Sequence, residues 1–338
     1  MRARLTITIL AGIALSVAPA GADSQEAADE NAEVSIHTPE GTDESPAFSK
    51  YRKLEEVTDD LALLWRTRPD LFEAVDQVRD AVIAYHRAGA WRPMNVALLL
   101  DGLGEERLLP LLWALASDDP FALGMGLGAW VAWRVGVIES IGRLRDPRSV
   151  PPLLSIARGD HPQAAVRRAA VAAIGRTGDA GGIAAAIAVA EESSRHRAAV
   201  VEGLGQARRP AAASYLLDVF KATDDPTLRR AAVRALGEWG NLEAWRTPAL
   251  SPWKEEGDAV RPAIVEALVD AYPNADSVIQ TEISKTLQLI DVHGSAARAK
   301  SRAEVTMDPK RKGAWRELEE AMQLSPLGAR QEPSRNAP

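Results

Sequence analysis

The apolar positions of this chain recur on two scales. Within short segments they fall three, four and seven residues apart, which lines one side of an α-helix. Along the chain these segments themselves repeat. Counted from Arg134, Arg167, Arg197, Arg229 and Arg261, which stand 33, 30, 32 and 32 residues apart, the register is regular. Three residues on lie Val137, Ala170, Val200, Ala232 and Ile264; four on lie Ile138, Val171, Val201, Val233 and Val265; seven on lie Ile141, Ile174, Leu204, Leu236 and Leu268. At offset 8 come Gly142, Gly175, Gly205 and Gly237, with Val269 as the one departure. A glycine closing the stripe predicts the left-handed residue that ends a helix.

Polar turns follow, as in Arg143-Leu144-Arg145-Asp146-Pro147 and Arg176-Thr177-Gly178-Asp179, and then second apolar segments at 150–156 and 183–189. Each unit is therefore two helices and two turns. One such hairpin cannot bury both helices alone, but stacked neighbours share a core, so the pattern predicts an all-α solenoid, a superhelix of helical hairpins with helical caps. An earlier copy lies at 96–112, where Leu100, Arg107 and Leu112 align with Ile141, Arg148 and Leu153 at a spacing of 41. The longer spacing places an insertion in the glycine-rich stretch 121–133, with Gly124, Gly126, Gly128 and Trp130, read as an irregular helix connection.

The flanks read differently. Residues 1–22 have a basic start at Arg2 and Arg4, an apolar core and the small-residue cleavage sites Ala18-Pro19-Ala20 or Ala20-Gly21-Ala22, a secretory signal. Residues 23–47 form an acidic stretch with almost no large apolar side chains, expected to be a disordered linker, and 325–338 a disordered tail. Between them the reading gives an N-terminal helical cap at 48–95, carried by Leu61, Leu64, Leu71, Val75, Val78 and Val82. Repeats follow at 96–270 and closing helices at 271–324, the latter at 277–290 and 314–324.

Composition narrows the role. The 338 residues include 40 basic and 47 acidic side chains, net −7, and no cysteine. Cleavage after Ala20 removes two arginines and leaves 38 basic against 47 acidic residues, or −9. An acidic balance argues against a nucleic-acid partner, because phosphate binding needs a basic field. Without cysteine there is no disulfide, thiol nucleophile or lipid-modified cysteine, so stability must come from packing. These features predict a periplasmic or secreted protein with no stable membrane insertion after cleavage.

The pattern of arginine, apolar residues at +4 and +7 and glycine at +8 followed by an Asp-Pro-like turn resembles bacterial HEAT-like repeats of the type named for phycobilisome lyases. Residues 166–175 and 228–237 carry it best. The resemblance covers about 96–270 and implies a solenoid whose repeated arginine pairs with the turn aspartate to set stacking, casting Arg134, Arg167 and Arg261 as structural. Asp146 and Asp179 hold offset 12, but Arg209, Asn241 and Pro273 follow, so any such ladder breaks in the later repeats.

Chemistry finds little footing. His37, His86, His161, His196 and His293 are scattered and none precedes glutamate, which argues against the His-Glu pairs of a related di-iron solenoid; a His-Glu-x-x-His site, a P-loop, a Gly-x-Ser-x-Gly elbow and a Rossmann fingerprint are absent. No cofactor or metal is expected, and His196 reads as a partly buried core substitute. The carboxylates Glu191-Glu192, Asp224-Asp225 and Glu255-Glu256 read as solvated turns. Two features point to binding of a protein or peptide: the cluster Trp239, Trp245 and Trp253, since interface anchors are often aromatic, and an arginine-rich edge of Arg168, Arg208, Arg209 and Arg230 for an acidic partner. The expectation is a scaffold without catalysis of its own, the alternative a lyase-like or cofactor-handling protein on the same repeats.

Overall fold

A computed structural model describes residues 54–89, 94–117, 123–159 and 163–328. The expected signal segment 1–22, the acidic stretch 23–47, most of the tail, His37 and His161 lie outside the described residues. The described elements are α-helices joined by turns and short 3-10 segments. In chain order they are α1 Leu54–Thr67, α2 Pro69–Arg87, α3 Val96–Asp101, α4 Leu108–Ser117, α5 Leu127–Leu144, α6 Val150–Arg158, α7 Ala164–Thr177, α8 Ala180–Glu192, α9 Ser194–Leu204 and α10 Pro210–Ala222. Then follow α11 Pro226–Gly240, α12 Leu242–Trp245, α13 Lys254–Ala271, α14 Ser277–Ile290, α15 Val292–Val305 and α16 Pro309–Gln323.

Two layers result. In the first, α3, α5, α7, α9, α11 and α14 pack each against the next; behind them α4, α6, α8, α10 and α13 pair with α5, α7, α9, α11 and α14 as hairpins. This is a helical solenoid. The apolar stripe at offsets 3, 4 and 7 is its core, with Ile138, Val171, Val201, Val233 and Val265 all at most 1% exposed. Helices α1 and α2 cover one end and the α15–α16 hairpin the other.

Several sequence expectations change. The offset-8 glycines are not left-handed helix ends: Gly142, Gly175 and Gly237 lie inside their helices and Gly205 caps α9 with φ −58°. They mark where consecutive first-layer helices touch. A Cβ on Gly142 would lie 2.8 Å from the Ala173 Cα, one on Gly175 2.6 Å from the Ala207 nitrogen, one on Gly205 2.9 Å from the Ala235 carbonyl, and one on Gly237 2.9 Å from the Thr286 Oγ1. The left-handed residues come later, at Arg145 with φ 54° and Gly178 with φ 74°.

The repeated arginines do something other than the implied pairing with turn aspartates. Arg134 donates to the Leu115 carbonyl at 3.1 Å and Arg167 to those of Ala157 and Gly159 at 2.9 and 2.6 Å; Arg229 reaches the Thr223 carbonyl. Arg197 pairs with Glu191 at 2.8 Å. Each guanidinium thus sits at the C-terminal end of the hairpin's other helix, where unpaired carbonyls and the helix dipole favour a cation. Asp146 accepts from the Arg148 amide at 2.9 Å and Asp179 from the Gly182 amide at 2.5 Å, so these aspartates start the next helical segment.

The fifth copy changes layer. After α11, Pro248 and Pro252 fall in a 3-10 segment, Pro248–Trp253, and α12 has only 4 residues, so no second-layer helix forms there. Helix α13, with Arg261, fills the second layer beside α10, and α14 rather than α13 packs along α11. Arg261 accordingly pairs with Asp258 of its own helix. Residues 277–290 therefore continue the stack, while the closing hairpin is α15–α16; α15 has no counterpart in the sequence reading. At the other end, helix α5 already begins at Leu127, so Gly128, Trp130 and Trp133 are helical and the irregular connection is shorter than expected.

Gly175→Ala should lower stability by about 1–3 kcal/mol, because its methyl meets backbone across a helix pair. Gly128→Ala, where an added Cβ meets nothing within 4 Å, should leave stability unchanged or raise it by up to about 1 kcal/mol. Urea unfolding of the two variants compares them directly.

Candidate functional site

The segment after α11 turns back over earlier repeats. It starts from two tryptophans, one at the end of α11 and one in α12: Trp239 Nε1 donates to the Arg209 carbonyl at 3.2 Å, and Trp245 Nε1 donates to the Trp239 carbonyl at 2.6 Å. Their ring centroids are 5.1 Å apart in an edge-on arrangement, and both are buried. The segment then crosses three turns. Arg145 donates to the Ala249 carbonyl at 3.3 Å, Gly178 lies under the Trp253 ring, and the Arg209 guanidinium stands 5.5 Å from that ring's centroid while pairing with Glu256 at 3.2 Å. Residues 248–253 thus form a strap across the turns that follow α5, α7 and α9.

Beneath the strap is a small cleft lined by Arg145, Arg176, Arg208, Gln206, Leu250 and Trp253 with Gly175 and Gly178 at its floor. Its guanidinium groups come from three consecutive repeats. Arg208 donates to Gln206 and to the Glu238 carbonyl, each at 3.1 Å, and Gln206 donates to the Glu238 carboxylate at 2.7 Å. Burial, then the neighbouring Arg176 charge, pulls the Arg208 pKa down to about 10; burial likewise lowers those of Arg176 and Arg145. All three remain cations at neutral pH, held close together at an electrostatic cost.

Against known families, residues 131–195 and 183–269 match a family model of HEAT repeats. Residues 131–269 are HEAT repeats. A search of curated proteins found no match. The strap and both sides of the cleft thus belong to the HEAT-repeat stack itself: Arg145, Arg176, Gln206, Arg208 and Trp253 all fall within the matched span.

The HEAT repeats sort the sequence-derived binding residues into three places. Trp239 and Trp245 are core, 0% and 2% exposed, so they hold the strap down and present no surface to a partner; Trp253 is half-buried as the cleft's wall. Arg168 and Arg230 are on the first-layer face in a chain of ion pairs crossing α7, α9, α11 and α14: Arg168 with Glu202 at 3.1 Å, Glu202 with Arg234 at 3.9 Å, and Glu282 with Arg234 and Arg230 at 3.0 and 2.6 Å. Arg208 and Arg209 are at the turn edge. The four arginines therefore do not make one edge, and three of them, Arg168, Arg209 and Arg230, pair with a carboxylate of another helix.

Sequence reading missed Arg145 and Arg176, treating them as turn residues. Their signal lies in the repeat register: Arg145 and Arg208 stand eleven residues after Arg134 and Arg197, and Arg176 nine after Arg167. His196 is half-buried as expected, His293 meets the Gly328 carbonyl at 3.0 Å, and Glu191 accepts from Tyr215 at 2.5 Å. Among the described residues no group of three or more His, Asp or Glu side chains is placed to hold a metal ion, and no helix is long and apolar enough to cross a membrane.

Gly178→Ala combines a strained left-handed alanine with a Cβ 2.9 Å from the Trp253 ring. It should cost about 1–3 kcal/mol and expose Trp253, read as a red shift in tryptophan emission.

Glu282 gives a pH test. Hydrogen bonds from Arg234, then Arg230, lower its pKa from 4.5 to about 2, so its stabilisation is complete above pH 4.5 and disappears as pH falls toward 2. Glu282→Gln should be less stable than the parent by about 1–2 kcal/mol at neutral pH, a gap that closes as acid is added. Urea midpoints measured across that range check the sign.

Proposed function

We propose that the chain is an exported scaffold of the bacterial cell envelope that holds a protein or peptide partner and performs no catalysis of its own. The observation that carries this reading is the arginine cleft under the strap, built from three consecutive HEAT repeats and left with excess positive charge while the first-layer face pairs its own charges. Solenoids offer long surfaces of this kind because each repeat adds the same edge to the next. The acidic chain, net −7, favours a protein over a nucleic acid as partner. Export rests on the basic, apolar and small-residue pattern of residues 1–22. The likeness of residues 166–175 and 228–237 to lyase-type repeats enters as architecture, since one scaffold serves many activities.

The test places a photo-crosslinking side chain at Gln206, on the cleft, or at Arg168, on the first-layer face, in the native bacterium. The expected outcome is a mature chain beginning at Gly21 or Asp23 in the periplasmic or secreted fraction, with one envelope protein captured from the Gln206 position. An unprocessed chain in the cytosol, or a purified chain carrying a visible chromophore, overturns the reading and favours the lyase-like alternative.

A further inference from the structure

Three cations line the cleft and no carboxylate is among its described lining residues, an arrangement that stability alone does not favour. Arg176 Nη1 and Arg208 Nε are buried and have no hydrogen-bond partner among the described residues. A buried guanidinium N–H without an acceptor costs free energy, more so beside other positive groups. The neighbouring charges are mixed at Arg176, where Glu139 and Glu238 raise its pKa and Arg143 and Arg145 lower it, but at Arg208 the Arg176 cation outweighs Glu238, which already accepts from Gln206. Arg143 in turn pairs with Asp101.

The backbone is shaped to the same end. Arg145 occupies a left-handed conformation, φ 54°, at the turn position where the next repeat has Gly178 at φ 74°. A side chain there is strained, and a strained non-glycine residue facing a cleft is a mark of function. Trp253 and Leu250 shield one side from water, which strengthens every electrostatic contact inside.

We propose that this cleft is a binding site for a single oxyanion, the carboxylate or phosphate group of a ligand. Such a group supplies the acceptors that Arg176 and Arg208 lack, and planar guanidinium forks match its paired oxygens. That a partner protein carries the group rests on the scaffold reading; the site itself does not.

The full chain is melted with inorganic phosphate, or with a blocked tetraglutamate peptide, against sodium chloride at matched ionic strength. Stabilisation by phosphate alone identifies a phosphate group as the ligand chemistry, by the peptide alone a carboxylate, and by both the shared oxyanion chemistry. At about ten times its Kd the active probe should raise Tm by about 2–4 °C. Arg208→Gln, and independently Arg145→Gln, should weaken the response at least about tenfold by removing a charge-assisted contact, each shift being taken from the variant's own ligand-free Tm. Arg168→Gln, on the first-layer face, should respond as the parent does. No response to either probe beyond chloride, or an equal response in both cleft variants, overturns the proposal; lower ligand-free stability with the response retained would make the arginines structural. None of these results depends on finding the cellular partner.

Discussion

The closest constraint in this molecule is the distance between consecutive first-layer helices. At Gly142, Gly175, Gly205 and Gly237 the next repeat comes so near that a single methyl would strike backbone or a buried side chain. Opposite stand small residues, Ala173, Ala207, Ala235 and then Thr286, whose hydroxyl donates to the Val233 carbonyl at 3.1 Å. Because the helices touch there, the stripe of valines, isoleucines and leucines behind the glycines closes into a dry core.

The other repeated features follow from that contact. With the first layer fixed, α4, α6 and α10 end beside Arg134, Arg167 and Arg229, whose guanidinium groups take their last carbonyls. Close stacking also brings charged side chains of neighbouring repeats within reach, giving the ion pairs from Arg168 to Glu282. Charges on that face are therefore partnered inside the protein, whereas those at the turn edge converge under the strap with buried N–H groups unmet.

The strap explains why the regular period gives way after α11. Its prolines prevent a second-layer helix, the buried tryptophans of α11 and α12 that precede it bond to the Arg209 and Trp239 carbonyls, and the stack resumes one hairpin later with α13 and α14. A break in the repeat thus serves as the wall of a cleft that no single repeat could form. The cost of crowding Arg145, Arg176 and Arg208 there is borne by the packing of the repeats on either side.

The sequence by itself determined the helical period, the buried stripe and the hairpin stack, because those depend on local spacing repeated five times. It also pointed to Trp253, Arg208 and Arg209, though for a different arrangement. It could not show that offset-8 glycine is a contact rather than a helix end, since both uses put the same residue in the same place and differ only in what lies opposite. Nor could it show that Arg261 changes layer: α13 carries the same stripe as α11, and only the absence of a helix before it moves it behind the row. The tertiary structure alone brought Arg145, Arg176 and Arg208 together with Trp253, because that meeting depends on a chain segment folding back across about a hundred residues, a reversal that no local pattern encodes.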